Sequence, residues 1–378
     1  MIVRIVIGLS LAFSLTTLPG FVQAQNAVDT TALVTFRQAE TPKSASQTLG
    51  VPEAVVTELL PTVYAVKQAS FVARPTLVRA VERESTVRAM LIPNDPQYAS
   101  QAGLQQISAT HAWDYTTGQS SPVIAVVDTG INGQHEELTG RILAGYNELT
   151  GTDIAAGADS DDNGHGTEVS SIVAAAGNNS LGMAGLDWQA KLMPVKVLDS
   201  DGVGTSSQLI AGIRYAVDHG AKVINLSLGG STNSAGVEEA VNYAWEKGAI
   251  LIGAAGNDGS GSILYPAAYE HVLAVGSVTS ADIKSGFSQT GSQLDLVAPG
   301  ENLTVATDSN NGYQTASGTS LAASLTAGAV GLAWARHPGK SNQLIIDSLT
   351  QTADKVAGMS GASRTNAYGF GRLNIEPA

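Results

Sequence analysis

Five apolar runs dominate the hydrophobic pattern of the chain. They cover residues 123–127, 192–198, 222–228, 249–255 and 272–278. Each run is continuous rather than alternating, which is typical of parallel strands that are covered on both faces. Elsewhere the apolar spacing takes a helical period, over residues 167–176, 206–219, 235–247, 320–336 and 342–353. This alternation predicts an α/β fold with a doubly wound, mainly parallel sheet and helices on both faces.

Residues 31–92 have a different pattern, made of short segments. The predicted elements are a strand at Leu33–Phe36, helices at Pro52–Leu60 and Leu77–Glu84, and a final strand at Thr86–Ile92. The following Pro-Asn-Asp-Pro string contains two prolines and ends this pattern. We expect a small α+β unit here, of a size that is marginally stable alone.

The first 24 residues match a secretory signal peptide. Arg4 supplies a positive charge, Ile5–Leu18 is mostly apolar, and Val22–Ala24 has the small residues of a cleavage site. A transmembrane anchor is the alternative, but the apolar run is shorter than the roughly 18 residues that a span needs. We therefore expect a cleaved signal and a secreted protein, extracellular or periplasmic.

Composition narrows the class of protein. The chain has no cysteine, so disulfides cannot stabilise it and a cysteine-linked lipid cannot anchor it. Residues 1–91 hold 8 Lys and Arg against 6 Asp and Glu, whereas the rest of the chain holds 12 against 27. An acidic body repels nucleic acid and anionic lipid, so we expect neither as a partner. Solubility explains the excess of acid more simply than an acidic recognition surface does.

Three side chains with complementary chemistry stand at the ends of predicted elements. Asp128 follows the apolar run 123–127, His165 is flanked by glycines, and Ser320 precedes a long apolar helix. A serine hydroxyl becomes a nucleophile when an imidazole takes its proton, and a buried carboxylate orients that imidazole. The three residues together predict a Ser-His-Asp hydrolase.

Other assignments explain these residues less well. An aspartate of a phosphatase would need a second aspartate two positions later, where Gly130 stands, and an esterase elbow would need glycines two residues either side of Ser320. Gly202–Gly204 lacks the rest of a dinucleotide-binding fingerprint. The remaining histidines lack flanking glycines and are interpreted as structural or surface residues: His111, His135, His219, His271 and His337.

From about Asn94 onward the sequence resembles the subtilisin-like serine proteases, and most closely their thermitase-like secreted bacterial branch. The matching strings are Val-Val-Asp-Thr-Gly (126–130), Asn-Gly-His-Gly-Thr (163–167), Leu-Ser-Leu-Gly-Gly (226–230), Ala-Ala-Gly-Asn (254–257) and Ser-Gly-Thr-Ser (317–320). Five strings in the family's order, with Asp before His before Ser, form a specific signal.

The resemblance implies a role for each catalytic residue. Ser320 would be the nucleophile, His165 the general base and acid, and Asp128 the orienting carboxylate. Asn257 would donate its side-chain amide to the oxyanion, with the Ser320 backbone N–H as second donor. The partial positive charge at the start of the helix behind Ser320 would favour the same oxyanion.

The resemblance also implies how substrate binds. Two glycine-containing segments would hold it as an added strand, and small residues would leave a roomy apolar pocket for the residue before the scissile bond. These residues are Gly202, Val203, Gly204, Ser227, Leu228, Gly229, Ala254, Ala255 and Gly256. Ser206 stands where relatives carry an aromatic side chain, so a more distal pocket should be open.

A structural calcium ion is implied too, and no catalytic cofactor. Its expected ligands are all oxygens, as calcium prefers. They are the side chains of Asp95, Glu137 and Asn179 and the carbonyls of Gly177, Leu181 and Met183. An ordinary Asn-rich turn is the alternative. A second acidic cluster is either another cation site or a solvated loop: Asp159, Asp161 and Asp162.

Among the departures from the family pattern, three concern residues close to the catalytic ones. Glu168 replaces a histidine one helical turn after His165, and its charge should favour the imidazolium. Leu321 replaces the methionine that usually follows the nucleophile, which predicts tolerance of peroxide. Ser324 replaces a proline and puts the local helix geometry in question.

These observations predict a self-processing precursor. Residues 1–24 would be the signal peptide, 25–92 an α+β propeptide that acts as chaperone and inhibitor, and 93–378 the peptidase domain. Met90, Leu91 and Ile92 would suit a large apolar pocket, so the junction is expected there. The expected partners of this monomer are polypeptide substrates and its own propeptide, without stable membrane association. The rival hypothesis is a non-catalytic peptide-binding protein on a degenerate fold of the same kind.

Overall fold

A computed structural model describes residues 3–4, 31–68, 71–84, 91–259, 261–309 and 311–376. It divides the chain into two compact units, Met1–Ala89 and Met90–Ala378. Apart from Val3 and Arg4, the predicted signal peptide lies outside the described residues. Across the described ranges, no helix is both long and apolar enough to span a membrane.

The first unit is α+β, with one helix on a four-stranded antiparallel sheet of order β3-β4-β2-β6. Its elements are β1 (Val3–Arg4), β2 (Thr31–Phe36), α1 (Pro42–Leu49), β3 (Val56–Leu60), β4 (Val63–Lys67), β5 (Val72–Ala73) and β6 (Val78–Arg83), with β1 paired to β5. Its small core includes Phe36 and Tyr64, whose rings meet edge to face at 5.5 Å.

Two of the elements predicted in this unit are wrong. The segment predicted as a helix at Pro52–Leu60 is a 3₁₀ turn, Glu53–Val55, followed by strand β3, and the helix predicted at Leu77–Glu84 is strand β6. Both strands are fixed by backbone pairing, β3 with the next strand β4 in a hairpin and β6 with the distant β2, and the apolar spacing within each segment does not reveal that pairing. The final strand predicted at Thr86–Ile92 falls mostly outside the described residues, and Leu91 and Ile92 are not in a strand.

Helix α1 was missed although its sequence carries capping signals. The Thr41 side chain accepts a hydrogen bond from the Ser44 amide, Pro42 starts the helix, and Gly50 ends it with φ of 68°. A hydroxyl before the first turn, a proline within it and a left-handed glycine after the last turn are the expected boundaries of a helix. The helix is short and polar on one side, so apolar periodicity alone did not identify it.

The second unit is built on an eight-stranded sheet of order β14-β13-β12-β11-β7-β10-β8-β9. Every pairing is parallel except β8 with β9. Its strands are β7 (Ile124–Asp128), β8 (Gly145–Asn147), β9 (Thr152–Ile154), β10 (Leu192–Lys196), β11 (Val223–Leu226), β12 (Ile250–Ala254), β13 (Val272–Val278) and β14 (Leu296–Pro299). A separate hairpin pairs β15 (Leu303–Ala306) with β16 (Tyr313–Ala316).

Helices cover both faces of this sheet. They are α2 (Ala102–Gln106), α3 (Ala109–Trp113), α4 (His165–Ala174), α5 (Ser206–Asp218), α6 (Ala235–Glu246), α7 (Thr319–Arg336) and α8 (Asn342–Thr352). One core lies between the sheet and α4 and α7, and another between the sheet and α5 and α6. Helix α7 is buried around its whole circumference from Leu321 to Trp334, which explains why this stretch has no charged residue and only two polar ones, Ser324 and Thr326.

The predicted α/β architecture is therefore confirmed. All five predicted strands and all five predicted helices of this unit are present, with ends within about three residues of those expected. The elements that were missed are short: α2, α3, β8, β9, β14, β15 and β16. Strand β7 lies between β10 and β11, so the chain crosses over in opposite directions on either side of it. Ligands of such sheets bind at the carboxyl ends of the strands beside this switch point.

Candidate active site

Asp128 is the last residue of β7, at the switch point. Its side chain is fully buried. Oδ1 accepts hydrogen bonds from the Thr129 amide at 2.8 Å and from Nδ1 of His165 at 2.7 Å, while Oδ2 has no partner among the described residues. A buried carboxylate with so few donors needs a positive charge nearby, and the imidazole is in position to supply it.

His165 is the first residue of α4 and is positioned by the turn before it. Gly164 has φ of 107°, in the left-handed region, and Asn163 Oδ1 accepts the His165 amide at 3.1 Å. The imidazole is 32% exposed, so substrate can reach it. The negative charge of Asp128 raises the pKa of His165 to about 9 against the opposing effect of burial, and Glu168 and Asp161 add to the rise.

Ser320 lies in the first turn of α7, beside the end of β11. Its hydroxyl donates to the Ser227 carbonyl at 3.2 Å, and no hydrogen bond of the described residues joins it to His165. The Ser320 carbonyl accepts hydrogen bonds from Ser227 Oγ at 2.9 Å and Ser324 Oγ at 2.8 Å. Helix α7 runs without a break through Ser324, so the missing proline does not disturb the helix. Attack would require the hydroxyl to turn toward the imidazole, as often happens only when substrate binds.

Asn257 borders the same space as the Ser320 amide. Its Oδ1 accepts hydrogen bonds from Thr319 N and Thr319 Oγ1, both at 2.9 Å. Because a backbone N–H can only donate, the side-chain atom that faces Thr319 N must be the oxygen. This fixes the side-chain amide, so Nδ2 is left as the outward donor. A Cβ added at Gly318 would lie 3.6 Å from Asn257 Nδ2 and 3.8 Å from Ser320 N. Two N–H donors thus flank one small space, as an oxyanion requires.

A groove of about 590 Å³ extends from His165 along the sheet edge. Six of the predicted substrate residues line it: Gly202, Val203, Gly204, Ser227, Leu228 and Gly229. The other three do not line this groove: Ala254, Ala255 and Gly256 are buried beside Asn257. Gly256 has φ of 114°, and a Cβ there would lie 1.5 Å from Gln289 Oε1, so the approach to Asn257 requires glycine.

The far end of the groove contains residues that sequence reasoning missed. Ser206 is there as expected, together with Leu209, Val237 and the tilted ring pair of Tyr265 and Tyr269, 4.6 Å apart. Tyr269 Oη accepts the Ser234 amide and so holds the loop before α6 against the groove. These residues come from three distant segments, so no local string could have identified them.

Known proteins resemble this chain in sequence and in overall fold. A model described as the subtilase family matches residues 119–371. Thermitase from Thermoactinomyces vulgaris is 42% identical over 73% of this chain and 98% of its own length. The halolysin-like extracellular serine protease Nep from Natrialba magadii is 36% identical over 80% of this chain and 55% of its own. A solved protease structure from Pseudoalteromonas arctica PAMC 21717 matches with a TM-score of 0.68 and 30% identity, covering 75% of this chain and 98% of that one.

The chain belongs to the subtilase family. It is a serine endopeptidase with the mainly parallel sheet and flanking helices of that fold. The family match spans the segments that supply Asp128, His165, Asn257 and Ser320.

The calcium ligands expected of this subtilase lie around one loop. Asp95 accepts the amides of Asn178 and Asn179 at 2.7 and 3.2 Å, and Glu137 accepts Nδ2 of Asn179 at 3.2 Å and the Met183 amide at 2.8 Å. The loop turns through left-handed residues, with φ of 59° at Asn178 and 66° at Ser180. The remaining expected ligands, the carbonyls of Gly177, Leu181 and Met183, belong to the same loop.

The donor set of this loop fits a hard cation. Asp95 and Glu137 are both buried, and no ion pair of the described residues includes either of them. Burial raises the pKa of Glu137, and the charge of Asp95 raises it further. Two buried carboxylates around an amide side chain are more stable as anions with a divalent cation between them. The choice between a calcium site and an ordinary Asn-rich turn therefore becomes part of the proposal below.

The second acidic cluster has other partners. Asp161 is 8% exposed and accepts hydrogen bonds from Thr129, Asn163, Gly164 and Thr167, so the solvated interpretation is wrong for it. Asp162 pairs with the buried Lys196 at 2.6 Å. No group of three or more acidic, His or Cys side chains in the described ranges is arranged to hold a metal ion. A second cation site therefore has no support in the cluster.

Proposed function

We propose that this chain is a secreted endopeptidase that cleaves peptide bonds with Asp128, His165 and Ser320 through an acyl-enzyme. The 2.7 Å hydrogen bond from His165 Nδ1 to Asp128 carries the proposal, because it joins the two elements at the switch point of the sheet. Ser320 lies at the neighbouring strand end, where its hydroxyl contacts Ser227.

Acylation begins when Ser320 Oγ attacks the substrate carbonyl. His165 Nε2 takes the hydroxyl proton, since Nδ1 is occupied by the hydrogen bond to Asp128. Asp128 keeps the imidazole in this tautomer and stabilises the imidazolium. The oxygen of the tetrahedral intermediate lies between Asn257 Nδ2 and the Ser320 N–H, which border one space beside Gly318.

Collapse of the intermediate breaks the peptide bond. The imidazolium gives its proton to the departing amine, and the acyl group stays on Ser320 Oγ as an ester. Water then enters, loses a proton to His165, and attacks the ester through a second tetrahedral intermediate. His165 acts as base and acid in turn, so both steps need the neutral imidazole at their start.

The groove supports binding of an extended polypeptide. Segments 202–204 and 227–229 line it and contain glycines, which let another backbone approach closely. Its far end is lined by Leu209, Val237 and two tyrosines, and Ser206 leaves it open. We infer that this far end takes an apolar residue of the substrate at some distance from the scissile bond. A broad preference for large apolar residues directly before the scissile bond rests instead on the small residues at 254–256.

The precursor organisation belongs to the same proposal. Residues 1–24 direct secretion, 25–92 form a propeptide, and the peptidase domain begins at 93. The separate compact unit before residue 90, and the extracellular relative from Natrialba magadii, support this organisation. Asp95, Glu137 and Asn179 would hold a structural calcium ion that stabilises the mature domain.

Hydrolysis of casein by the purified protein tests the proposal. A fluorophosphonate should abolish hydrolysis and add its mass to Ser320. The Ser320→Ala variant should be inactive and unlabelled, whereas a Ser292→Ala variant, changed at an exposed serine, should behave as the wild type. A folded protein that binds peptides but neither hydrolyses casein nor takes the label would instead be the non-catalytic binding protein.

A further inference from the structure

A buried carboxylate outside the triad joins the two elements that carry Asp128 and His165. Asp161 Oδ1 accepts Thr129 Oγ1 at 2.8 Å, the Gly164 amide at 2.9 Å and the Asn163 amide at 3.2 Å. Its Oδ2 accepts the Thr167 amide at 2.8 Å and Thr167 Oγ1 at 2.6 Å. Five donors from the two sides of the site thus share one side chain that is 8% exposed.

One side of this arrangement is the start of α4. Asp161 accepts the amides of Gly164 and Thr167, which are the residue before the helix and its third residue. Amides at a helix start have no partner within the helix, so a carboxylate here fixes the first turn and its orientation. His165 is the first residue of that turn.

The other side is the turn that follows β7. Thr129, next to Asp128, donates its hydroxyl to Asp161 and accepts the Gly166 amide on the same oxygen at 2.9 Å. A Cβ at Gly166 would lie 1.9 Å from the Gly130 carbonyl oxygen, so the two backbones touch with no side chain between them. A small displacement at this contact would change the distance between the Asp128 and His165 side chains.

We propose that Asp161 is a positioning residue for the triad, which holds the turn after Asp128 and the first turn of α4 at the separation that the 2.7 Å carboxylate–imidazole hydrogen bond needs. The inference rests on the proposed function. Asp161 does not face the reacting atoms and acts through Thr129, Gly164 and Thr167.

The charge of Asp161 has a second, separable effect. The charged groups around His165 are Asp128 on β7, Glu168 on its own helix and Asp161 on the preceding loop, and all three raise the pKa of the imidazole. Asp308 lies against Gly164, and Lys196, bonded to the Thr129 carbonyl, is the nearby cation. Because the base must be neutral, removing one negative charge moves the acidic limb of activity to lower pH.

Three variants separate position from charge. Asp161→Asn removes the charge and puts an NH₂ group against the Thr167 amide, while Thr129→Val removes the hydroxyl and keeps the charge. Asp159→Asn is the control, since it removes a neighbouring exposed charge but keeps an oxygen for its one bond, from the Asp161 amide. Each purified variant is assayed for kcat and KM on a peptide substrate and for the pH dependence of fluorophosphonate labelling.

We expect kcat to fall by at least ~10-fold in Asp161→Asn and in Thr129→Val with KM nearly unchanged, because small displacements of catalytic groups are costly. The midpoint of the acidic limb should move to lower pH in Asp161→Asn alone. Asp159→Asn should match the wild type. If Asp161→Asn does not fold, Thr129→Val decides the question.

Wild-type kcat in Thr129→Val, or equal effects in Asp161→Asn and Asp159→Asn, would overturn the positioning role. A loss that appears in KM rather than kcat would also overturn it, because that would indicate a disturbed groove. These results require a wild type that hydrolyses substrate and takes the label. A wild type that does neither would instead remove the proposed function itself.

Discussion

At the scale of single residues, the surroundings of His165 set when it can act. The negative charge of Asp128, the hydrogen bond to it and the charges of Glu168 and Asp161 raise the pKa of His165 to about 9, so we expect most of the imidazole to be protonated at neutral pH. A protonated imidazole cannot accept the proton of Ser320. Activity should therefore increase as the pH rises through that value, which predicts an alkaline optimum that a pH–rate profile on a peptide substrate would measure.

Glu168 provides the most direct test of this view. It lies one turn from His165 and accepts a hydrogen bond from Gln314, which a glutamine at 168 would retain. We expect Glu168→Gln, and the family-like Glu168→His, to shift the acidic limb of kcat/KM to lower pH. The check is a pH–rate profile of the three proteins, and superimposable acidic limbs would rule out the effect.

Leu321 should make the enzyme resistant to oxidation. It stands next to Ser320, is buried, and has no sulfur for peroxide to attack. We expect wild-type activity to survive incubation with hydrogen peroxide, and Leu321→Met to lose activity under the same conditions. Residual hydrolysis against time measures both, and rapid loss in the wild type would contradict the expectation.

At the scale of elements, a buried carboxylate connects loops to helix α7 through hydrogen bonds and packing. Asp187 lies in the long connection between α4 and β10 and accepts hydrogen bonds from Ser121 Oγ at 2.5 Å and the Ala190 amide at 3.0 Å. It packs against Gly331 of α7, where a Cβ would lie 2.5 Å from its Oδ2. Burial raises the pKa of Asp187 to about 7, against the pull of these donors and of Arg141.

This shift has a definite sign for stability. Between about pH 4 and 7 the folded state binds the Asp187 proton and the unfolded state releases it, so this group makes the fold less stable as the pH rises. We expect Asp187→Asn, in an inactive Ser320→Ala background, to have a Tm close to its parent at pH 5 and higher by a few degrees at pH 8. Thermal unfolding at both values is the measurement, and a Tm lower at pH 8 would contradict the expectation.

The loop around Asn179 should depend on a divalent cation. Removal of calcium with EDTA should lower the Tm of the Ser320→Ala protein, because ligands that bind only the folded state stabilise it by about 2.7 kcal/mol at 100 times their Kd. Asp95→Asn should have a low Tm already and respond little to EDTA. Asp153→Asn, at an exposed position, is the matched control. An unchanged wild-type Tm in EDTA would remove the calcium proposal.

At the scale of the whole molecule, two units with separate cores divide the chain near residue 90. If the second unit removes the first, the Ser320→Ala protein should keep residues 25–92, whereas Ser292→Ala should lose them. Intact mass after expression distinguishes the two. A correctly trimmed Ser320→Ala protein, made without an active protease, would show that processing is not autocatalytic.

The strands of the second unit could be predicted from the sequence better than those of the first, and the reason is physical. In the second unit each buried strand is a continuous apolar run, because helices cover both faces, and such runs are visible without knowing the neighbours. In the first unit β3 and β6 have exposed or half-exposed faces, so their sequences resemble short amphipathic helices. Only the pairing with β4 and β2 decided their conformation.

The sequence by itself determined the α/β architecture, the family and the identity of the triad candidates, since these depend on residue type and on order along the chain. Tertiary structure alone decided which groups surround them. Asp161 appeared in the sequence as one member of an acidic loop, and the fold made it an acceptor for five donors. The tyrosines of the groove and the buried Asp187 were likewise assigned only by contacts between distant segments. Burial and charge depend on such contacts, and a local string does not contain them.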